Sequence, residues 1–345
     1  MTLYKANTFG SFAARAAGFS LVELMISITI GMLLIAGMAT LVSNNSAHRA
    51  ELEKSSRQIE NGRYAMQILS EDLRHAGYYG EYYDLASVPT TLPNPCSTAV
   101  ADLTADLPLP IQGYDAPTSV PSPLATCLSD ADHVTGTDIV VVRRAGTVVA
   151  GSLVAGRTYV QTRSDTIILN DGSATAATWS LKKKDLTTAA DIRQFIVHIY
   201  FISPCSVPAS GTSCTGAADD GGNPIPTLKR LELTDSGGAR SMVIVPLVEG
   251  IENLQIDYGT DSIGTGAPNH FVMSPADTTA WGNVVAAQVS LVARNVDATT
   301  GFTDSKTYDM GLAGAFTPAT AVKKYKRHAY TQLVRLENPS ARREQ

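Results

Sequence analysis

Between Phe19 and Val42 the chain is an apolar run whose one charged residue is Glu23. As a helix rising 1.5 Å per residue, about two dozen such residues cross the ~30 Å hydrocarbon core of a bilayer. A secretory signal has a shorter apolar stretch of about 7–15 residues and closes at a small-residue cleavage site on its far side. Here the run is longer and continues into polar sequence. Met1 to Gly18 carries Lys5 and Arg15 and no acidic residue, and the next cationic candidates are His48 and Arg49. That asymmetry places the N-terminus in the cytoplasm and the rest across the membrane. A carboxylate in such a span costs a few kcal/mol on insertion scales, which makes Glu23 a functional residue by default. The competing reading is interfacial snorkelling near the start of the run.

The helical pattern does not end with the apolar run. No proline occurs between Phe19 and Gly77, so one helix of roughly 58 residues is expected, with Gly77 as its stop. Ile59, Met66, Leu69 and Leu73, with Ala65, Ile68 and Ala76 beside them, form an apolar stripe opposite Glu60, Arg63, Gln67, Glu71 and Arg74. Gly31 and Gly37 either soften the membrane half or let neighbouring helices pack closely.

Beyond Gly77 the sequence is strand-rich. Runs at 138–143, 147–153, 166–169, 192–202, 229–234, 240–247, 251–258, 284–293 and 329–336 are β-prone and bounded by Gly, Pro, Asp and Asn. Val285, Ala287, Val289, Leu291 and Ala293 alternate with Gln288, Ser290 and Arg294, the pattern of a strand with one buried face. The expected fold is α+β: a long N-terminal helix, half membrane-spanning and half amphipathic, packed on an antiparallel β-sheet head. The expected division is 1–18 leader, 19–77 transmembrane and stalk helix, 78–345 periplasmic head. Pro-, Thr- and Ser-rich loops at 89–123 and a Gly-rich one at 211–226 are expected to decorate it. Four cysteines, Cys96, Cys127, Cys205 and Cys214, all lie on the external side. Three pairings exist, and the short separation of Cys205 from Cys214 favours their joining, leaving Cys96 with Cys127.

Enzymatic and metal motifs are missing from the sequence: no Walker loop, GxSxG elbow, HExxH or strand-linked GxGxxG. No catalytic, cofactor-binding or metal-ligating residue is expected. His198 sits inside a strand pattern and reads as a packed or surface residue. Asp219-Asp220-Gly221-Gly222-Asn223 lacks the alternating ligands of a calcium loop and reads as a solvated turn. The basic-aromatic run 323–328 reads as a turn into the last strand rather than a nucleic-acid patch, and a net charge of −5 gives no general attraction to nucleic acid.

Gly18-Phe19-Ser20-Leu21-Val22-Glu23, behind a short basic leader and ahead of the apolar run, resembles the leader motif of type IV prepilins. Gly62–Tyr78, Leu247–Gly259, Ala287–Arg294 and Lys326–Asn338 resemble segments of PilW-type minor pilins, while 85–132 matches nothing in that family. The resemblance implies cleavage after Gly18 by a prepilin peptidase and N-methylation of Phe19. It also implies an ion pair between Glu23 and the Phe19 amine of a neighbouring subunit. The implied partners are other minor pilins, the major pilin and the inner membrane, with no small-molecule substrate and no cofactor. The implied place is the inner membrane, with a periplasmic head, and then the extracellular pilus, at its tip. The implied role is assembly or initiation of a type IV pilus supporting motility or adhesion. Two alternatives share the architecture: a minor pseudopilin of type II secretion, and a tip adhesin or DNA-binding module using 85–132 and 211–226 as contact loops.

Overall fold

The computed structural model of the chain describes residues 18–83, 85 and 87–344. The expected leader therefore lies outside the described residues except for Gly18. By compactness the chain divides into Met1–Glu53 and Lys54–Gln345. One helix, α1 (Leu21–His75), contributes to both. In the first unit its residues are exposed, apart from the half-buried Gly31 and Glu51, and the helix is long and apolar enough to cross a membrane. The stop at Gly77 has a physical basis. Its φ of +70° is the left-handed turn that closes a helix without a Cβ penalty, and its N–H donates to Arg143 O at 2.9 Å.

The second unit is built on a seven-stranded antiparallel sheet. Its strands are β1 (Ile111–Tyr114), β2 (Ile139–Val149), β3 (Thr158–Arg163), β4 (Thr166–Asp171), β5 (Ile192–Ser203), β6 (Thr227–Ser236) and β7 (Ala239–Glu249). The order β1-β2-β5-β3-β4 branches at β5, which also pairs with β6, itself paired with β7. Residues 192–194 of β5 pair with β3 and residues 198–203 with β6, so two hairpins lie end to end along the long strand. A second sheet, in the order β13-β10-β8-β9, is formed by β8 (Ile251–Thr260), β9 (His270–Val272), β10 (Val284–Arg294) and the late strand β13 (Arg327–Arg335). Between β10 and β13 a two-stranded ribbon, β11 (Tyr308–Asp309) with β12 (Ala315–Phe316), covers the second sheet. The α+β architecture read from the sequence is what the chain adopts.

Alternation along the strands sorts side chains into two cores. Val140, Val142, Tyr200 and Ile202 join Ala65, Met66, Leu69 and Leu73 of α1 and the inner face of the second sheet. Their neighbours Ile139, Val141, Ile199 and Phe201 point the other way, to Leu103, Leu107, Val120, Leu124 and Leu128. A sheet buried on both faces reads as a near-continuous apolar run, which is what 139–142 is and what 195–202 is apart from His198. The segment 89–128 is thus a core layer rather than a decoration. It contains a short helix, α2 (Val100–Ala105), with Leu103 buried, which the Pro-rich composition concealed.

Other expectations shift for stated reasons. The runs at 138–143 and 147–153 are one strand, β2, irregular between Ala145 and Val149 and ending there. Ile59 is exposed rather than part of the stripe, while Gly62 takes the buried position beneath the Tyr330 ring. Ser290 and Arg294 do not face solvent and Gln288 is half-buried, because the segment after β10 folds over them. Ser290 and Arg294 are buried, and Val292 packs with Tyr308 and Met310.

A short helix, α3 (Thr278–Gly282), capped by Asp277 on Ala280 N–H, brings Trp281 edge-on to Tyr258 with ring centroids 4.6 Å apart. Both rings press on Gly113 of β1, where any Cβ would enter the Tyr258 ring end and Trp281. Gly113→Ala is expected to cost about 1–3 kcal/mol through overpacking, measured by urea unfolding of the fragment from Arg49 onward. A neutral result would mean that Tyr258 has room to retreat.

Candidate functional sites

Helix α1 starts where its sequence supplies a cap. Ser20-x-x-Glu23 is the capping-box pattern, in which the acidic residue at the third helical position reaches back to the N-cap amide. Glu23 Oε2 accepts the Ser20 N–H at 3.0 Å. No other hydrogen bond to the Glu23 side chain occurs among the described residues. Gly18 has open space around it and Phe19 is 82% exposed. The three residues singled out from the sequence are therefore accessible and lie at the start of the membrane-competent helix. The cap itself was readable in the sequence and was overlooked there.

At its other end α1 is fixed to the sheets by polar contacts. Asp72, 4% exposed, faces β2 and β5. Its Oδ1 takes Arg144 Nε at 2.5 Å, and its Oδ2 takes both His198 Nδ1 and Tyr200 Oη at 2.7 Å. The carboxylate can only accept, so His198 carries its proton on Nδ1. Burial works against the charge of Asp72, but the donors of His198, Arg144 and Tyr200 outweigh it and hold the carboxyl well below its ordinary range. His198 is thus neither a ligand nor a surface residue. About four turns toward the N-terminus, Gln58 Nε2 donates to Ala293 O of β10 at 2.8 Å and to Lys326 O at 3.2 Å. The end of the helix is closed from the C-terminal side by α4 (Glu337–Arg343). Asn338 Nδ2 donates to Ala76 O at 3.1 Å, and Arg342 Nη2 to Gly77 O at 2.6 Å, satisfying carbonyls that a helix end leaves open.

The remaining candidates resolve as scaffold. In the run 323–328, Tyr325 and Arg327 are buried. Arg327 pairs with Glu252 at 2.5 Å and Asp304 at 3.1 Å, and Arg294 stacks 4.1 Å above the Tyr325 ring. The strongest cation of that run is spent inside the head. Asp219 accepts the N–H groups of Ala209, Thr215 and Gly216 and the Thr215 hydroxyl. Asp220 accepts those of Ser206, Val207 and Ile225. Burial opposes ionisation of Asp219, yet these donors bring its carboxyl down to about 2. Carboxylates facing so many N–H groups organise a loop. The same loop holds the disulfide Cys205–Cys214, and a second disulfide joins Cys96 to Cys127, with Cα atoms 5.9 and 5.7 Å apart. Cys205, Cys214 and Asp219 cluster closely enough to suggest a metal, but the thiols are consumed in their own bond.

Two buried carboxylates have the opposite electrostatics. Asp138 joins the two sheets: its N–H donates to Leu254 O at 2.9 Å, its Oδ2 accepts Ile256 N–H at 2.7 Å and its Oδ1 Ala116 N–H at 2.8 Å. Burial nonetheless pushes its carboxyl up to about 7, with Asp115 and Asp257 adding like charge. Asp106 lies 3.8 Å from the Nε of the fully buried Arg143, too far for a hydrogen bond, and burial pushes it up to about 6. In the folded chain these groups keep protons that the unfolded chain releases near pH 3.8. Their contribution to stability is therefore present below that pH and is lost as pH rises through about 6 to 7. Asp72 acts in reverse: its contribution is present above the unfolded carboxylate value and is lost as pH falls.

The second unit is accordingly expected to melt higher at pH 5 than at pH 8. Asp138→Asn is expected to remove on the order of 2–4 kcal/mol of that alkaline decline. Calorimetric melting across pH checks it, and an unchanged slope in the variant would contradict the assignment to Asp138. Replacing both Cys205 and Cys214 by Ser is expected to cost about 2–4 kcal/mol, chiefly by freeing the unfolded chain. Chemical denaturation of the oxidised protein and the double variant measures it.

Comparisons with known proteins fall at the two ends of the chain. Residues 13–39 match the prokaryotic N-terminal methylation motif, which spans Gly18, Phe19 and Glu23. Residues 215–338 match the family described as Type IV Pilus-assembly protein W; the segment Gly62–Tyr78 lies outside both ranges. No curated protein matches the chain. Among solved structures, a type IV-like pilin from Thermus thermophilus is similar over 82% of this chain and 98% of its own, at 12% identity and a TM-score of 0.33, too loose a likeness to argue from. A methylation motif at the head of a membrane-competent helix and a pilus-assembly segment running through β6 to β13 make the chain similar, at both ends, to PilW-type minor pilins of the type IV prepilin family.

Proposed function

We propose that the protein is a non-enzymatic subunit that helps initiate or cap a type IV pilus, joining other minor pilins and the major pilin by helix packing. The match to a pilus-assembly family supports a pilus-related role, and the methylation motif implies processing by a prepilin peptidase. On this reading, residues 1–18 are the leader, the peptidase cuts after Gly18, and the new Phe19 amine is methylated. Residues 19–77 then anchor the chain in the inner membrane with the N-terminus cytoplasmic, and 78–345 form the periplasmic head, which ends at the pilus tip.

The observation that carries the reading is Glu23, a lone carboxylate on an exposed apolar helix. One of its oxygens is used by the Ser20 cap, and the carboxylate keeps acceptor capacity for a second donor. Its proposed partner is the Phe19 amine of the next subunit, because a charge in a low-dielectric contact is tolerated when an opposite charge meets it. The cap and the ion pair are separable. Glu23→Gln keeps an oxygen for the Ser20 amide but loses the charge, and Glu23→Ala loses both. Both variants are expected to insert and be processed, and both to fall at least tenfold in sheared pili relative to the membrane pool. Normal incorporation of Glu23→Gln would reduce the residue to a helix cap. Gly18→Arg is expected to leave the leader attached, which N-terminal sequencing of membrane-extracted protein reads.

A further inference from the structure

A groove of about 790 Å³ opens on the second unit, within the size range of ligand clefts. One wall is the end of the Cys96–Cys127 layer, at Leu128 and Ser129; the other is the Cys205–Cys214 loop, at Val207 and Pro208. Both walls are therefore held by disulfides. The floor is β6, with Lys229 and Leu231, and the remaining side runs along β7.

Three observations define what would fill it. The first is Lys229, which lines the groove yet is 3% exposed. Its one hydrogen-bond partner among the described residues is the Cys205 sulfur at 4.0 Å, a weak acceptor. An ammonium has three N–H donors, and burying them without oxygen acceptors is costly; burial accordingly lowers the pKa of Lys229. The second concerns the carboxylates that balance its charge: Asp132, Asp219 and Asp220. Their oxygens are engaged elsewhere, those of Asp132 by Cys214 N–H and the Ser129 hydroxyl, those of the other two by the loop amides described above. The surroundings thus already supply negative charge, while none of these oxygens hydrogen-bonds to the Lys229 ammonium, which favours a neutral oxygen over an anion. The third is β7 itself, which pairs with β6 and is a sheet edge on its other side. Ser241, Met242, Val243 and Ile244, four consecutive residues, all border the groove. Successive side chains of a strand point to opposite faces, so a cleft touching four in a row follows the strand's edge, where backbone donors and acceptors await a partner. No aromatic residue borders the groove among the described residues, so it lacks a stacking platform for a sugar ring or a base.

We propose that this groove receives an extended, uncharged peptide segment of a partner protein, added as a strand along the Ser241–Val245 edge of β7, with one of its main-chain carbonyls accepting from Lys229. Main-chain pairing supplies the affinity in such strand addition, and the side pockets supply selectivity. Pro246, which has no N–H to offer, ends the pairing edge. The assignment is independent of the pilus reading, since it rests on the groove alone.

The test uses the full-length chain in detergent micelles and a blocked peptide, acetyl-Val-Thr-Val-Thr-Val-amide, with hexanoate as the anionic comparison. Saturable peptide binding is expected, with slowed hydrogen exchange confined to the 239–249 segment. Lys229→Met is expected to weaken the peptide at least tenfold while retaining a cooperative melt. Should that variant fail to fold, Val243→Trp, a change at a 37% exposed position that fills the groove, is expected to weaken it similarly. Absence of peptide binding, binding without added protection in β7, or equal affinity in the folded variants would overturn the proposal. Tighter binding of hexanoate than of peptide would overturn it in favour of an anion site.

Discussion

The head is organised around one carboxylate. The apolar stripe of α1 would pack on the sheets in several registers, because Ala65, Met66, Leu69 and Leu73 fit a greasy surface without specifying an axial position. Asp72 removes that freedom. Its two oxygens are matched to donors from β2 and β5 at 2.5–2.7 Å, and a shift by one turn would strand a buried charge. Gln58 does the same toward the second sheet through β10. One helix is therefore indexed to both sheets by polar contacts, while burial supplies the adhesion.

From that indexing follows the layered plan. With α1 and the second sheet on one face, the seven-stranded sheet needs a cover on the other, and 89–128 provides it with Leu103, Leu124 and Leu128. This segment has little regular structure of its own, and the Cys96–Cys127 bond limits the freedom that such a cover would otherwise have. A cover so constrained also makes a firm wall. The groove beside β7 exists because this layer and the Cys205–Cys214 loop stop short of the sheet edge.

The two units illustrate different uses of burial. In Lys54–Gln345 several charges are internal and answered: Arg327 by Glu252 and Asp304, Asp219 and Asp220 by loop amides. In Met1–Glu53 the large apolar side chains of the described helix are exposed, and Glu23, the one acid of the apolar run, is answered locally by the Ser20 amide. Such a surface is a demand for another environment, lipid or neighbouring helices.

By itself the sequence determined what depends on local pattern. The uninterrupted apolar run and the absence of proline specify a single long helix. Gly77 specifies its end, because a left-handed residue is needed there. Alternation at Val285–Ala293 specifies a strand and its inward face, and Gly18-Phe19 with Glu23 carries the likeness to type IV prepilins. What only the tertiary structure decided is what depends on residues far apart in the chain. Nothing local distinguishes Asp72 from Glu71, yet one is buried against residues 72, 126 and 128 positions away and the other is not. The basic run 323–328 has the composition of a surface patch until Glu252 and Asp304 arrive from other strands to bury Arg327. Gln288, Ser290 and Arg294 obey the outward half of an alternating pattern and are still covered, since the segment that folds over them lies later in the chain. Local periodicity encodes which face is apolar. Long-range pairing decides what meets the other face, and that information resides in the partner rather than in the pattern.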